Sequence, residues 1–283
     1  MIARWLLPLA LLATSTVHAE PQRLLSAGSS MTELVFALQA QDQLVAVDST
    51  SVLPEDSPIA RLGYHRQLSA EGMLSTLPTL VIGSEEMGPD SALNLVRQAG
   101  IQVEALPEAM TMEQLQSNIL RLGELLDREL QAEELHQQVG QRAKNLVSDG
   151  SVTGKSAAGK KTIFLLLGDG NSAQIAGSNT LADAMIRLAG GSNPAIASID
   201  GYKPVAMEAL VAMAPEVILI SRRHLVEEAG ADALFQQFPL LRQTPAANAN
   251  AIVPINGKAL IGGLGLSTLA EAERLHHYLL AQE

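Results

Sequence analysis

The first half of the chain alternates between two periods. In "RLLSAGSSMTELVFAL" (23–38) a short apolar run meets a Gly-Ser turn, and a helix is expected from about Thr32. "QLVAVDST" reads as the next strand, "SAEGMLSTL" as a short helix stopped by Pro78, and "TLVIGS" as a buried strand. "SALNLVRQAG" follows as a helix closed by Gly100, and "IQVEAL" as another strand. Strands and helices alternating at this interval predict an α/β lobe with a mostly parallel sheet.

The period then becomes helical. Thr111 and Gln114 form a capping-box pattern ahead of Leu115, Ile119, Leu122 and Leu126. Asp127 is placed to cap a second helix carrying Leu130, Leu135, Val139 and Leu146. Twenty residues of helix span roughly 30 Å, enough to bridge two lobes. A Gly/Ser-rich linker, "SDGSVTGKSAAGKK", comes next. It imitates a phosphate-binding loop, but three residues, not four, separate Gly150 from Gly154, and the flanking helix and strand stand in the wrong order. Alternation then restarts: "KTIFLLLGDG", "TLADAMIRLAGG", "PVAMEALVAMA", "EVILIS", "AIVPI", and a last helix from about Ser267. "GDGNSA" meets a loose dinucleotide pattern, yet "QIAGSN" is a poor helix and Leu188 stands where an acid is wanted. The expected fold class is therefore α/β: two lobes, each a mostly parallel sheet flanked by helices, joined by a long bridging helix. The divisions are 20–110, 111–149 and 150–283.

Residues 1–19 are expected to be a cleaved secretory signal. Arg4 precedes a short apolar run, and small residues stand at the last and third-last positions before Glu20. The run is too short to span a bilayer. This implies an exported protein of the periplasm. Arg4 is one of the 19 basic side chains, so 18 remain against 30 acidic ones, which disfavours nucleic acid and anionic lipid as partners. With no cysteine there is neither a disulfide nor a thiolate metal site. Aromatic residues make up only 3% of the chain, too few for a dense aromatic cage. No Gly-x-Ser-x-Gly elbow or His-Glu-x-x-His helix is present, which speaks against a secreted enzyme.

An internal repeat organises the rest. "GYHRQLSAEGMLSTLPTLVIGS" (63–84) matches "GYKPVAMEALVAMAPEVILIS" (201–221). Each opens Gly-Tyr, sets a glutamate (Glu71, Glu208) early in a short helix, and stops that helix seven residues later at Pro78 or Pro215. Two related lobes, a bridging helix and a leader describe a periplasmic solute-binding protein of the helix-bridged class. At "LGYHRQLSAEG", "PTLVIGSEEMGP" and "DAMIRLAGG" the chain resembles haem-binding proteins that feed bacterial ABC haem-uptake transporters. The lobe architecture is shared with cobalamin and ferric-siderophore binders.

What the resemblance implies can be set beside the chemistry of the residues. A phenolate is a hard anionic ligand suited to ferric iron, and a tyrosine phenol normally ionises near pH 10. A guanidinium two residues away favours the anion, and in an extended loop residues i and i+2 share a face. By resemblance Tyr64 is the axial ligand of ferric protoporphyrin IX and Arg66 its hydrogen-bond partner, with His65 pointing away. Arg222 or Arg223, with Arg222 preferred, follows a strand's carboxyl end and is a candidate partner for a haem propionate. The glycines of "IGGLG" (261–265) suit either close approach to a porphyrin or a tight turn. Met87, Tyr202 and His224 are candidates for a second axial ligand. His276 and His277, adjacent on a helix, are expected at the surface and cannot chelate one metal together. The scattered histidines disfavour a divalent-metal site. Glu71 and Glu208 are implied to dock on the two permease subunits of an ABC importer. The protein is implied to act as a monomer, downstream of an outer-membrane haem receptor.

Overall fold

The computed structural model describes residues 21–152, 159–168, 172–221 and 231–281; the expected leader and the residues 153–158 of the linker lie outside them. The N-terminal lobe is built on five strands: β1 (Leu24–Ala27), β2 (Leu44–Val47), β3 (Ala60–Arg61), β4 (Leu80–Ser84) and β5 (Gln102–Leu106). They are all parallel, in the order β3-β2-β1-β4-β5. Every residue of β1 and β4 is buried. Both strands are central and covered on two faces, so they read as continuous apolar runs and do not alternate. Helices α1 (Ser29–Ala37), α2 (Ala70–Ser75) and α3 (Asp90–Gln98) flank the sheet.

Helix α1 begins three residues earlier than the sequence pattern suggested. Gly28 adopts φ 112°, a region open to glycine, and turns the chain directly out of β1 into the helix. Thr32 is not a cap: its hydroxyl lies in the buried hydrogen-bonded pairs with Ser26 Oγ (2.9 Å) and Ser51 Oγ (2.7 Å).

The capping box at Thr111 and Gln114 is present at the start of α4 (Met112–Leu125). Asp127 does not cap the next helix. It takes a left-handed φ of 54° in the turn after α4, and α5 begins at Glu129 and runs to Val152. Its 24 residues amount to about 36 Å. Leu130 is 86% exposed, because the stripe facing α4 and the lobe is instead Ala132, Leu135, Val139 and Leu146. The helix also takes up residues 148–152, the first part of the expected linker.

The C-terminal lobe carries β6 (Thr162–Leu167), β7 (Ala173–Ala176), β8 (Tyr202–Pro204), β9 (Val217–Ser221) and β10 (Ile252–Ile255), ordered β10-β9-β6-β7-β8. Around it stand α6 (Leu181–Leu188), α7 (Met207–Ala212), α8 (Ala231–Gln237), α9 (Pro245–Asn248) and α10 (Leu266–Ala281). The repeat is visible in the topology: β6, β9 and β10 pair in parallel as β1, β4 and β5 do. On the other side the lobes part, since β7 is antiparallel to both β6 and β8. The connection from β6 to β7 is too short for the crossover that a parallel partner needs, so β7 pairs antiparallel with β6.

The lobes touch beyond the bridge. Glu33 of α1 accepts from Ser267 N–H (3.0 Å) and from the Ser267 hydroxyl at the start of α10. Leu264 N–H donates to Ala109 O at 2.6 Å, and the Ser30 hydroxyl donates to Gly262 O. Arg142 of α5 grips Glu273 of α10 through two 2.8 Å hydrogen bonds. His276 is buried, with Nδ1 3.0 Å from Ala189 O, because the face of α10 that carries it packs on α6; only His277 is exposed.

Candidate functional site

A cavity of about 250 Å³ opens between the lobes. The N-terminal lobe supplies Tyr64, His65, Arg66, Glu86, Glu108 and Met110; the other lobe supplies Asn179, Thr180, Leu181 and Tyr202. The two Gly-Tyr steps of the repeat thus meet at one space from opposite sides. Ile261 and Gly262 close it. Gly262 and Gly263 take φ of 82° and 87°, and a Cβ on Gly263 would stand 2.9 Å from Ala109 N. The "IGGLG" segment is therefore a tight turn pressed against the opposite lobe, and it also borders the cavity.

The Tyr64 loop gets its shape from polar residues behind it. His65–Gln67 form one 3-10 turn after Tyr64, in place of the expected extended loop. Tyr64 and Arg66 still face the cavity, with Tyr64 39% exposed, while His65 turns inward and is 1% exposed. Its Nδ1 lies 3.4 Å from Oδ2 of Asp48, which is itself fully buried at the end of β2. Oδ1 of Asp48 accepts from Gly28 N–H (3.0 Å) and Ser51 Oγ (2.6 Å), and Oδ2 from Thr50 N–H (3.0 Å) and Thr50 Oγ1 (2.6 Å). Burial pushes the Asp48 carboxyl up, but His65, Ser51 and Thr50 together hold it well below the usual carboxylate range. The ring of His65 packs edge-on against Tyr64, with centroids 4.3 Å apart and planes at 61°. Sequence reasoning passed over Asp48. The "VDST" step with two hydroxyl neighbours was the available signal, but nothing local tied it to His65.

Arg66 is ion-paired with Glu86, in the turn after β4. Across the cavity, Tyr202 opens β8 and packs on Phe164, with ring centroids 6.3 Å apart. Burial pushes its phenol up to about 12; the nearby charge of Glu108 adds to this, and the Ala182 N–H at the start of α6 opposes it. Asn179 and Ser178 both donate to Asp200 Oδ1, at 2.8 and 2.9 Å, which fixes the chain just before α6.

Met87 lies in the N-terminal core, 3% exposed, against Gly83, and is not among the residues lining the cavity. Arg222, Arg223 and His224 lie outside the described residues. Among the described residues no three His, Asp or Glu side chains come together as a metal site, and no helix is long and apolar enough to cross a membrane. Glu71 and Glu208 stand exposed in the first turns of α2 and α7, each shortly after the Gly-Tyr of its own lobe. A larger hollow of about 580 Å³ between α4 and α5, lined by Gln116, His136 and Lys144 among others, contains none of the site residues picked out from the sequence.

Two helix-bridged α/β lobes with a cleft between them have the architecture of a solute-binding protein. The chain belongs to the periplasmic binding protein family, which matches residues 25–259. Its fold superposes on the periplasmic haem-binding protein HutB of Vibrio cholerae with a TM-score of 0.83 and 44% identity, covering 91% of this chain and 98% of that one. A periplasmic haem-binding protein from Pseudomonas aeruginosa gives a TM-score of 0.82 and 34% identity over 92% and 93% of the two chains. Among curated relatives, an ABC transporter substrate-binding lipoprotein of Bacillus subtilis is 24% identical over 206 residues, 72% of this chain but only 65% of the relative. A vitamin B12-binding protein of Photorhabdus laumondii is 26% identical over 207 residues, 73% of each chain.

Proposed function

We propose that this protein captures ferric haem in the periplasm and delivers it to an inner-membrane ABC importer. The observation that carries this reading is the pairing of an exposed tyrosine at the mouth of the interlobe cavity with whole-chain likeness, at 44% and 34% identity, to two haem-binding proteins. In the reading, Tyr64 supplies a phenolate to the iron, and ferric iron draws the proton off the phenol. Arg66 leaves Glu86 or shares it, and its charge favours the anion. Arg222 takes a propionate. Residues 1–19 are removed on export. The exposed Glu71 and Glu208 meet basic residues on two permease subunits, so that the cavity faces the channel; such charge pairs set orientation and encounter rate more than affinity. An outer-membrane receptor supplies haem upstream, and the protein acts as a monomer.

Cobalamin is the second reading, favoured by the vitamin B12-binding relatives at 22–26% identity. One titration separates the two. Haem added to the protein should give a Soret band that saturates at a fixed stoichiometry and is lost or strongly weakened in Tyr64→Ala, while cobalamin leaves the protein's fluorescence and melting temperature unchanged. Saturable cobalamin binding with no Soret change would overturn the haem reading.

A further inference from the structure

Two opposite charges meet on the wall of the cavity, Arg66 and Glu86. They are held in different ways. Arg66 is half exposed, on a single 3-10 turn, and Glu86 is its one ionic partner among the described residues. A long side chain so placed has many rotamers open to it. Glu86 sits on a fastened turn. Glu85 N–H donates to Leu106 O (2.9 Å) and Met87 N–H to Ser84 O (2.8 Å), and the Met87 side chain is buried against Gly83. The same turn is tied to the Tyr64 loop, since Gly88 N–H donates to His65 O (2.9 Å) and Leu68 N–H to Gly88 O (2.8 Å). Oε2 of Glu86, the oxygen that meets Arg66, is shut off from solvent and takes no hydrogen bond from any other group. If the guanidinium swung away, that oxygen would be left buried, charged and unpaired, at the cost of its desolvation. A guanidinium has five N–H donors, and a carboxylate in the fork geometry engages two of them. Arg66 can therefore keep Glu86 and still donate to a second anion.

We propose that Glu86 is a positioning residue of this site: it holds the Arg66 guanidinium on the cavity wall, so that Arg66 serves the Tyr64 phenolate without giving up its carboxylate. This rests on haem being the ligand, bound through Tyr64. Two courses are open to Arg66 when haem enters, to leave Glu86 or to share it, and the buried oxygen favours sharing. The courses give opposite signs. If Arg66 is shared, removing the carboxylate lets the guanidinium stray, and haem binds more weakly. If Arg66 must first leave Glu86, the same change releases it, and haem binds more tightly. The charge of Glu86 opposes a phenolate, but the cation paired with it offsets that effect.

The test compares wild type, Glu86→Ala, Glu86→Gln, Arg66→Ala and the double variant Glu86→Ala/Arg66→Ala. Each is titrated with ferric haem, followed by the Soret band and by the phenolate-to-iron charge-transfer band. Glu86→Ala should weaken haem by about three- to tenfold, below the 10–100-fold typical of a group that touches a metal ligand directly. Glu86→Gln keeps the volume and one acceptor oxygen, so it should fall between Glu86→Ala and wild type. A phenolate relieved of a hydrogen bond is a stronger electron donor. The charge-transfer band of Glu86→Ala should therefore move to longer wavelength, in the same direction as that of Arg66→Ala, which a merely structural role would not produce. In the Arg66→Ala background the loss of Glu86 should weaken haem no further, because the two side chains act as one unit. Tighter or unchanged binding in Glu86→Ala overturns the proposal, as does an equal weakening with and without Arg66. If wild type binds no haem, or binds it independently of Tyr64, the reading of the ligand fails and this inference with it. If wild type binds through Tyr64 and Glu86→Ala does not weaken it, only this inference fails.

Discussion

The two lobes start from one sequence pattern and put its tyrosine to different uses. Tyr64 and Tyr202 each follow a glycine, precede a glutamate-bearing helix, and line the same cavity. In the N-terminal lobe the step after Tyr64 is a 3-10 turn outside the sheet, and the phenol is 39% exposed beside Arg66. In the C-terminal lobe Tyr202 is already a sheet residue, paired with Ala176 on antiparallel β7, and its ring lies on Phe164. Its oxygen is desolvated, faces the charge of Glu108, and is held neutral to about pH 12. One phenol stands exposed at the cavity, and the other is packed on Phe164 with its ionisation pushed up by burial. The difference arises from the flanking strand: a parallel β3 that ends two residues before Gly63, or β8, which begins at the tyrosine itself and pairs antiparallel with β7.

The comparison is broken most directly at the tyrosines themselves. Tyr64→Phe should weaken ferric haem by more than roughly 100-fold, above the 10–100-fold typical of losing a residue that only supports a metal ligand. A Soret titration checks it, and a loss no larger than that of Tyr202→Phe would erase the distinction between the lobes.

Asp48→Asn comes next, because this buried carboxylate stands behind the Tyr64 turn through His65. The substitution leaves donors from Thr50 and Ser51 facing an amide, and should lower stability by about 1–3 kcal/mol, read as a fall in melting temperature. The sign with pH follows from the depressed carboxyl. The unfolded chain binds the proton near pH 3.8 and the folded chain only below that, so Asp48 contributes stability at neutral pH that is lost as the pH falls below 3.8. The asparagine variant should show a shallower acid dependence.

A smaller effect is expected at the helices. Glu71→Ala and Glu208→Ala should leave haem affinity unchanged within about twofold and slow delivery to a reconstituted importer, more so in the double variant and less visibly as salt is raised. As helix-terminal charges alone they are worth only about 0.3–1 kcal/mol. Normal delivery by the double variant would reduce both glutamates to that role.

The smallest change belongs to Tyr202→Phe, which keeps the ring on Phe164 and should alter haem affinity by less than about threefold. Its signature is alkaline. Between pH 10 and about 12 the unfolded chain releases the phenolic proton and the folded chain does not, so stability falls as the pH rises through that window. The phenylalanine variant should flatten this part of the curve in a melting series.

Much of this was legible along the chain. Short apolar runs located β1, β2, β4, β5, β6, β9 and β10 but not β3, β7 or β8, the helical period located α4 and α5, and the repeat with its two Gly-Tyr steps exposed the two-lobed plan, because these patterns are set by neighbours a few residues apart. The capping box at Thr111 and Gln114 was readable for the same reason. Tyr64 and Arg66 were picked out by spacing and resemblance, and both line the cavity. What local pattern does not carry is which distant residues become partners. The antiparallel course of β7 and β8, the pairing of Arg66 with Glu86, and the clasp of Glu33 on Ser267 all depend on segments brought together by the sheets and by α10. The clearest case is His65. In sequence it is a polar residue in a polar loop, 17 positions from Asp48. Only the parallel packing of β2 beside β1, which buries the end of β2 next to the Tyr64 turn, places the imidazole against a desolvated carboxylate. Burial and proximity across the fold decide its chemistry, and neither is a property of the residues on either side of it.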